Sequence, residues 1–243
     1  MKKQSIGRRA VHDEQKEERK QDILTTAWQL FQTTSYEAMT IAGVAKAAGL
    51  AKGTIFLYFK AKEALFLALV EQQLGSWFAA VDAGLIAMHG KGDIPQVTAL
   101  LCEQLESRPG LTRLLAILHT TLERNINLDE ALRFKYLLKE HVEYTGTLLE
   151  QCLPFLHPGQ GAHVLVQCDA MVIGFWHLAD PAPVVQQVLQ QPEFLLFEIR
   201  FVTELSTAMQ ALFYGLEKVA PPPRQVDCIV HKERRDKKDS SEK

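Results

Sequence analysis

The sequence has almost no net charge, few strand signals, and no apolar run approaching the ~20 residues that a bilayer-crossing helix requires. The last absence argues against a membrane span. Its four cysteines, Cys102, Cys152, Cys168 and Cys228, stand singly without a C-x-x-C pair, which argues against a disulfide scaffold and suits a reducing compartment. The first three read as small packed apolar residues, with redox sensing as the alternative. The opening MKKQSIGRRAVHDEQKEERK has basic residues first, but neither an apolar segment nor a small-residue cleavage site follows. A cytoplasmic location is therefore the expectation. Also missing are a nucleophile elbow, a phosphate-binding P-loop, a dinucleotide fingerprint and an H-E-x-x-H pair. The loop HPGQGAH carries His157 and His163 but neither the thiols nor the spacing of a structural zinc site. No enzyme activity, cofactor or metal is expected.

What is present is an uneven charge distribution. A formal charge of −2 over 243 residues does not by itself suggest a polyanion-binding protein. Residues 1–62, however, carry 11 Lys/Arg against 6 Asp/Glu, residues 63–217 carry 8 against 18, and the remainder carries 8 against 5. A basic head on an acidic body would approach phosphates while the body is held off them, although chance clustering on solvated faces gives the same counts.

Apolar residues recur at helical spacing almost throughout, so the fold is expected to be all-α. A first amphipathic helix is predicted over about Arg19 to Thr34, with Ile23, Ala27, Leu30 and Phe31 on one face. Thr40 then precedes Ile41, Val44 and Ala45 as the cap of a short helix. Gly49 breaks that helix, and a second short one carries Ile55 and Phe59. Longer helices are expected from Lys62 to about Met88, Ile94 to Glu106, Leu111 to Arg124, Asp129 to Cys152 and Ala162 to Leu178. A brief segment follows around Val184 to Leu189, and a last helix from about Glu193 to Glu217. The expected organisation is a flexible basic arm over 1–18, a helix-turn-helix over 19–66, a helical body over 67–217, and a disordered charged tail over 218–243.

The segment TIAGVAKAAGLAKGTIFLYF, Thr40 to Phe59, is the most informative. Ala45 is small enough for two helices to cross closely, and Gly49 suits the left-handed turn that a Cβ penalises. Val44, Ala48, Leu50 and Ile55 would fill the seam. That leaves Lys52, Gly53, Thr54, Phe56 and Tyr58 outward, a set suited to phosphates and base edges. In order and spacing, AKAAGLAKGTIFLYFKAKEALF from Ala45 to Phe66 resembles the tetracycline-repressor (TetR) family over about the first 66 residues. The remaining two thirds are similar only in being helical.

The resemblance implies a three-helix helix-turn-helix DNA-binding domain followed by a helical-bundle domain that binds a ligand and dimerises. It implies that Thr40 bonds a phosphate, that Lys52, Gly53, Thr54 and Phe56 face the major groove, and that Tyr58 and Lys62 hold the DNA backbone, with Leu57 outside the set. Ala51 and Ala61 stand where the family often has a hydroxyl, so a cap or phosphate contact is missing at each. Lys2, Lys3, Arg8 and Arg9 would lie in an arm able to track the duplex, or in a merely solvated tail. The implied partners are double-stranded operator DNA, a second copy of the chain, and an unknown small-molecule inducer. A repressor is the expectation, with an activator or a ligand-independent DNA-binding protein of the same fold as the alternative.

For the ligand pocket the candidates are Trp77, His119, Phe134, Tyr144, Trp176 and His177, because aromatic and occasional polar groups inside a bundle make ligand walls. Ordinary core packing is the competing reading for each. The resemblance places the dimer interface on the two late helices, where Phe194, Phe197, Phe201, Leu205 and Leu212 are candidates.

Overall fold

The computed structural model describes residues 3–219, with side chains from residue 14 onward. The expected disordered tail and Cys228 lie almost wholly outside the described residues. Within them the chain is helical with no strand. The order is α1 (Lys3–Thr33), α2 (Ile41–Ala47), α3 (Lys52–Phe56), α4 (Lys62–Ala87), α5 (Ile94–Glu106), α6 (Pro109–Ile117), a π-helical turn (Leu118–Leu122), α7 (Leu128–Cys152), α8 (Gln160–Ala179), α9 (Pro183–Leu189), a 3-10 helix (Pro192–Phe197) and α10 (Phe201–Lys218).

The first three helices pack around Ile23, Ala27, Phe31, Val44 and Ile55, all at most 2% exposed. Each fully buried Ile, Leu or Phe of this kind contributes roughly 1.5–3 kcal/mol by leaving water. The turn between α2 and α3 is a Schellman motif. Gly49 sits at φ +65°, its N–H donates to the Lys46 carbonyl at 3.2 Å, and the Leu50 N–H donates to the Ala45 carbonyl at 2.9 Å. Two of the orphan carbonyls at the end of α2 are thereby satisfied, and the angle at which α3 leaves is fixed.

The body is a bundle in which α7 packs on α4 and α8, and α10 on α5 and α8. Two glycines set its tightest seam: a Cβ on Gly161 would collide with the backbone of Gly146 across the α7–α8 contact. Asp93 caps α5 in a reciprocal capping box with Gln96, and Asn127 caps α7 in the same way with Glu130. The three described cysteines are buried and unpaired.

Three differences from the sequence reading have physical causes. α1 begins at Lys3, not near Arg19 after a flexible arm. Residues 14–19 are all exposed, so this extension rests on the helix propensity of Lys, Glu, Gln and Arg and leaves no apolar stripe to read. The helix expected over 193–217 is instead a 3-10 helix and α10, parted at Glu198, whose backbone is extended. No residue of the 3-10 segment Pro192–Phe197 is buried, so little packing holds this stretch as a backward extension of α10. Finally, α4 and α8 are long and apolar enough by length and composition to cross a bilayer. α4 spends that character on the core, with eleven buried residues from Leu65 to Leu85, while α8 leaves Val166 and Leu178 exposed.

Candidate DNA-reading head and ligand cavity

Thr40 has extended dihedrals, and its hydroxyl oxygen accepts from the Gly43 N–H at 3.1 Å, so it caps α2 while remaining exposed. On α3, Ile55 is the buried anchor. Anchoring one side of a single turn forces its neighbours outward: Lys52, Gly53 and Phe56 are exposed and Thr54 is half-buried. The Lys52 ammonium stands 5.7 Å from the Phe56 ring centroid, a contact that tethers the cation to the outer face. Neither Ala51 nor Ala61 makes a side-chain cap bond. Tyr58 is half-buried and packs against the core edge. Leu57, set outside the predicted group, is 78% exposed beside Phe56, so the outer surface is more apolar than the motif suggested.

Lys62 differs most from expectation. Its Nζ donates to the Tyr36 carbonyl and lies 3.8 Å from the Tyr36 ring centroid, and burial lowers its pKa below the usual lysine value. The Tyr36 hydroxyl donates to Glu63 at 3.0 Å. Burial first, then that carboxylate, push the phenol above its ordinary range. Lys62 and Glu63 therefore fasten the start of α4 to the loop after α1, so the free protein already commits much of the cation predicted for DNA.

In the body, a cavity of about 90 Å³ lies between α4, α5, α6, α7, α8 and α10. Leucines and valines make most of its wall, with Leu111 and Leu115 from α6 and Leu165 and Val172 from α8. Of the six predicted pocket residues, Trp77 and His119 line it. The other four do not. Phe134 is fully buried in the core one turn before the wall residue Leu138. Tyr144, two positions past Val142 and so on another face of α7, is 54% exposed. Trp176 packs edge-on against Phe201 at 5.5 Å, and His177 is exposed. The correction is general: aromatic identity was the signal used, and an aliphatic wall does not send that signal.

His119 belongs to the π-helical turn after α6. Asp169 lies 3.6 Å from its Nε2 and Glu123 lies 2.8 Å from its Nδ1, and these two carboxylates hold the imidazole protonated up to about pH 9. Lys135 completes the cluster, 2.6 Å from Glu123.

Two residues the sequence did not single out connect head and body. Gly110 on α6 faces Trp28 of α1 so closely that a Cβ would strike the indole. One turn on, the Arg113 guanidinium donates to the carbonyls of Phe31 at 3.0 Å and Thr34 at 2.8 Å, and lies 4.4 Å from the Phe31 ring centroid. It thus caps the negative end of α1. The only sequence trace is a lone cation in the leucine-rich LTRLLAI.

Of the predicted interface residues, Leu205 is fully buried in the chain's own core, on the helix that packs against α5 and α8. Phe194, Phe201 and Leu212 are half-buried and Phe197 is 59% exposed.

A basic three-helix head with an outward short helix, joined to an all-helical body enclosing an apolar cavity, defines a helix-turn-helix transcription regulator with a ligand-binding domain. Residues 23–69 match the family described as "Bacterial regulatory proteins, tetR family", and residues 71–220 match "Tetracyclin repressor-like, C-terminal domain". The chain belongs to the TetR family of transcription regulators. An uncharacterized HTH-type transcriptional regulator of Bacillus subtilis, YerO, is 40% identical over 58 residues, which span 24% of this chain and 20% of that protein. The fatty acid metabolism regulator protein of the same organism is 25% identical over 137 residues, 56% of this chain and 69% of that protein. Among solved structures, the fold is similar to the TetR-family repressor AlkX of a Dietzia strain (TM-score 0.51, 18% identity, 83% of this chain and 97% of that one). It is equally similar to FadR of Bacillus subtilis in complex with stearoyl-CoA (TM-score 0.51, 20% identity, 79% and 96%).

Proposed function

We propose that the protein is a cytoplasmic repressor that binds a palindromic operator as a homodimer and is released when a small apolar molecule enters the body cavity. The observation that carries this reading is the position of α6. Leu111 and Leu115 form cavity wall on one side of it, and Gly110 and Arg113 grip the end of α1 on another. A ligand that displaces α6 therefore pulls on the helix that supports the reading head. Two heads must span about 34–36 Å to enter successive major grooves, so a modest rotation is enough to forbid simultaneous contact. The complex of FadR with stearoyl-CoA and the relation to a fatty acid metabolism regulator support an aliphatic ligand.

In this reading the head spans residues 19–66 and the body 67–217. Lys52, Gly53, Thr54 and Phe56 read base edges, Thr40 and Tyr58 position the phosphates, and Lys62 does so only if its bond to Tyr36 is given up. The dimer forms on α8 and α10, with Phe201 and Leu212 among the covered residues and Phe194 and Phe197 beside them on the 3-10 helix. The exposed Val184, Val188, Leu195 and Leu196 of α9 and the 3-10 helix add an apolar flap that a second copy would bury.

The test is to select duplexes from a random-sequence pool with the full chain and to footprint the winners. The expected result is protection of two inverted half-sites about one helical turn apart by a species of twice the protomer mass, with affinity falling as salt rises. Uniform coating of any duplex, or binding by the protomer alone, argues against the proposal.

A further inference from the structure

The outer stripe of α3 carries a side chain that none of the proposed DNA contacts uses. At about 100° per residue, the positions two before and two after the buried Ile55 both fall about 160° from it around the helix axis, and these are Gly53 and Leu57. Leu57 keeps right-handed helical dihedrals, φ −70° and ψ −24°, and its N–H donates to the Thr54 carbonyl at 3.2 Å, so the stripe runs through it unbroken. Gly53 has open space where a Cβ would stand, and its bare backbone lets α3 approach a surface closely. The leucine one turn on is 78% exposed, against 42% for Phe56 beside it. A single exposed leucine is ordinary on a protein surface. One set opposite the buried anchor of a recognition helix, in line with a glycine, lies where base edges would be met.

We propose that Leu57 determines specificity at one operator position, packing its side chain against the 5-methyl group of a thymine in the major groove of each half-site. An alkyl group neither donates nor accepts a hydrogen bond, so it cannot answer the ring nitrogens, carbonyls or amino groups of the base edges. The thymine methyl is the one apolar feature that the major groove displays. Charge favours DNA over an apolar protein partner for this face. Residues 1–62 carry 11 Lys/Arg against 6 Asp/Glu, and the Lys52 ammonium, 5.7 Å from the Phe56 ring centroid, stands beside the apolar patch, where it can meet a phosphate. The family resemblance leaves Leu57 outside the DNA-contacting set; its exposure and register bring it in. This deepens the operator-binding reading, on which it rests, by naming what one position of the half-site must display.

The experiment uses the full chain and the operator it selects from random-sequence duplexes. Each thymine of a half-site, with its symmetry mate, is replaced in turn by uracil, which removes the methyl group and keeps the pairing, and binding is followed by fluorescence anisotropy at fixed salt. A methyl group leaving water is worth about fourfold in affinity, so one thymine position should stand out, its replacement in both half-sites costing about tenfold or more. Leu57→Ala should weaken the thymine operator by a similar factor and abolish the sensitivity to uracil at that position alone, so that the two changes together cost no more than the variant by itself. Its Tm should stay within about 2 °C, because the side chain lost is a surface one. Undiminished uracil sensitivity in Leu57→Ala overturns the proposal. So does a loss that Leu57→Ala shows equally on operator and scrambled duplex, or a uracil sensitivity abolished by Phe56→Ala and kept by Leu57→Ala. A footprinted operator indifferent to uracil overturns the proposal and leaves the repressor reading standing, whereas a chain that selects no operator at all sinks both.

Discussion

The reading head and the sensing body of this protein are built to different tolerances. In the head, a five-residue helix has one buried anchor, Ile55, and a Schellman turn at Gly49 aims it. Nearly every position therefore has a task that another residue type would not perform. In the body, the cavity wall is drawn from seven helical elements and is mostly leucine and valine, residues that would serve any core. Recognition of a rigid, charged surface demands particular side chains at particular places, whereas enclosing an apolar molecule demands only a gap in otherwise ordinary packing. Substitutions in the two halves should accordingly fail in different ways.

The largest expected effect separates them through stability. Gly161→Ala places a methyl group against the Gly146 backbone, where neither helix has a side chain to move aside. We expect a loss of about 3 kcal/mol and a fall in Tm of roughly 6–12 °C, read by circular dichroism, while the folded fraction keeps its preference among operator sequences. A change in that preference would show that the body, too, specifies DNA.

The second expectation runs the other way. Thr54→Ala and Lys52→Ala remove exposed groups, so Tm should stay within about 2 °C, while affinity for the selected operator falls by about 1–3 kcal/mol and the preferred sequence shifts. Tyr58→Phe should weaken all duplexes alike. Competition between operator and scrambled duplex decides it: equal losses on both would place Thr54 and Lys52 with the phosphate contacts and undo the distinction.

This contrast also accounts for what could be read from the sequence. The head was legible because its signal is local: Thr40, Gly49 and Ile55 each announce a cap, a left-handed turn and a seam within twenty residues. Most body helices were legible from the helical spacing of their apolar residues. The cavity was not, because membership of its wall depends on which turn of each helix meets the gap. Leu138 and Phe134 lie on one stripe of α7, yet only the former lines the cavity. Nor was the head–body joint, since Arg113 finds carbonyls 79 and 82 residues away in sequence. The break before α10 was missed because no glycine or proline marks it; the segment lacks packing rather than propensity.

Arg113 tests whether the halves are as separate as their construction suggests. Arg113→Gln removes the two hydrogen bonds to the end of α1 and should lower stability by about 1–2 kcal/mol. More tellingly, it should cut the factor by which a cavity ligand weakens operator binding about fivefold or more, with ligand affinity in the absence of DNA nearly unchanged. Arg113→Lys should restore only part of the coupling, because one ammonium does not span two carbonyls as a guanidinium does. Full coupling in Arg113→Gln would move the connection elsewhere, with the Lys62–Tyr36–Glu63 fastening as the next place to look.

The smallest effect concerns pH and belongs to the body alone. Asp169 and Glu123 raise the His119 pKa from 6.5 to about 9 in the folded protein. A group whose folded pKa lies above its unfolded one contributes stability that is complete below the unfolded value and disappears as pH rises through the folded one. The contribution of His119 should therefore be full near pH 6, decline between about 6.5 and 9, and be gone by pH 10. Its side chain is 40% exposed, so solvent screening keeps the effect small, about 1–3 °C in Tm. The measurement is the difference in Tm between the unaltered protein and His119→Gln across that range, which cancels other titrations. A difference that is flat with pH would mean that the imidazole is not held between the two carboxylates. One that grows toward pH 10 would reverse the charge assigned to the imidazole.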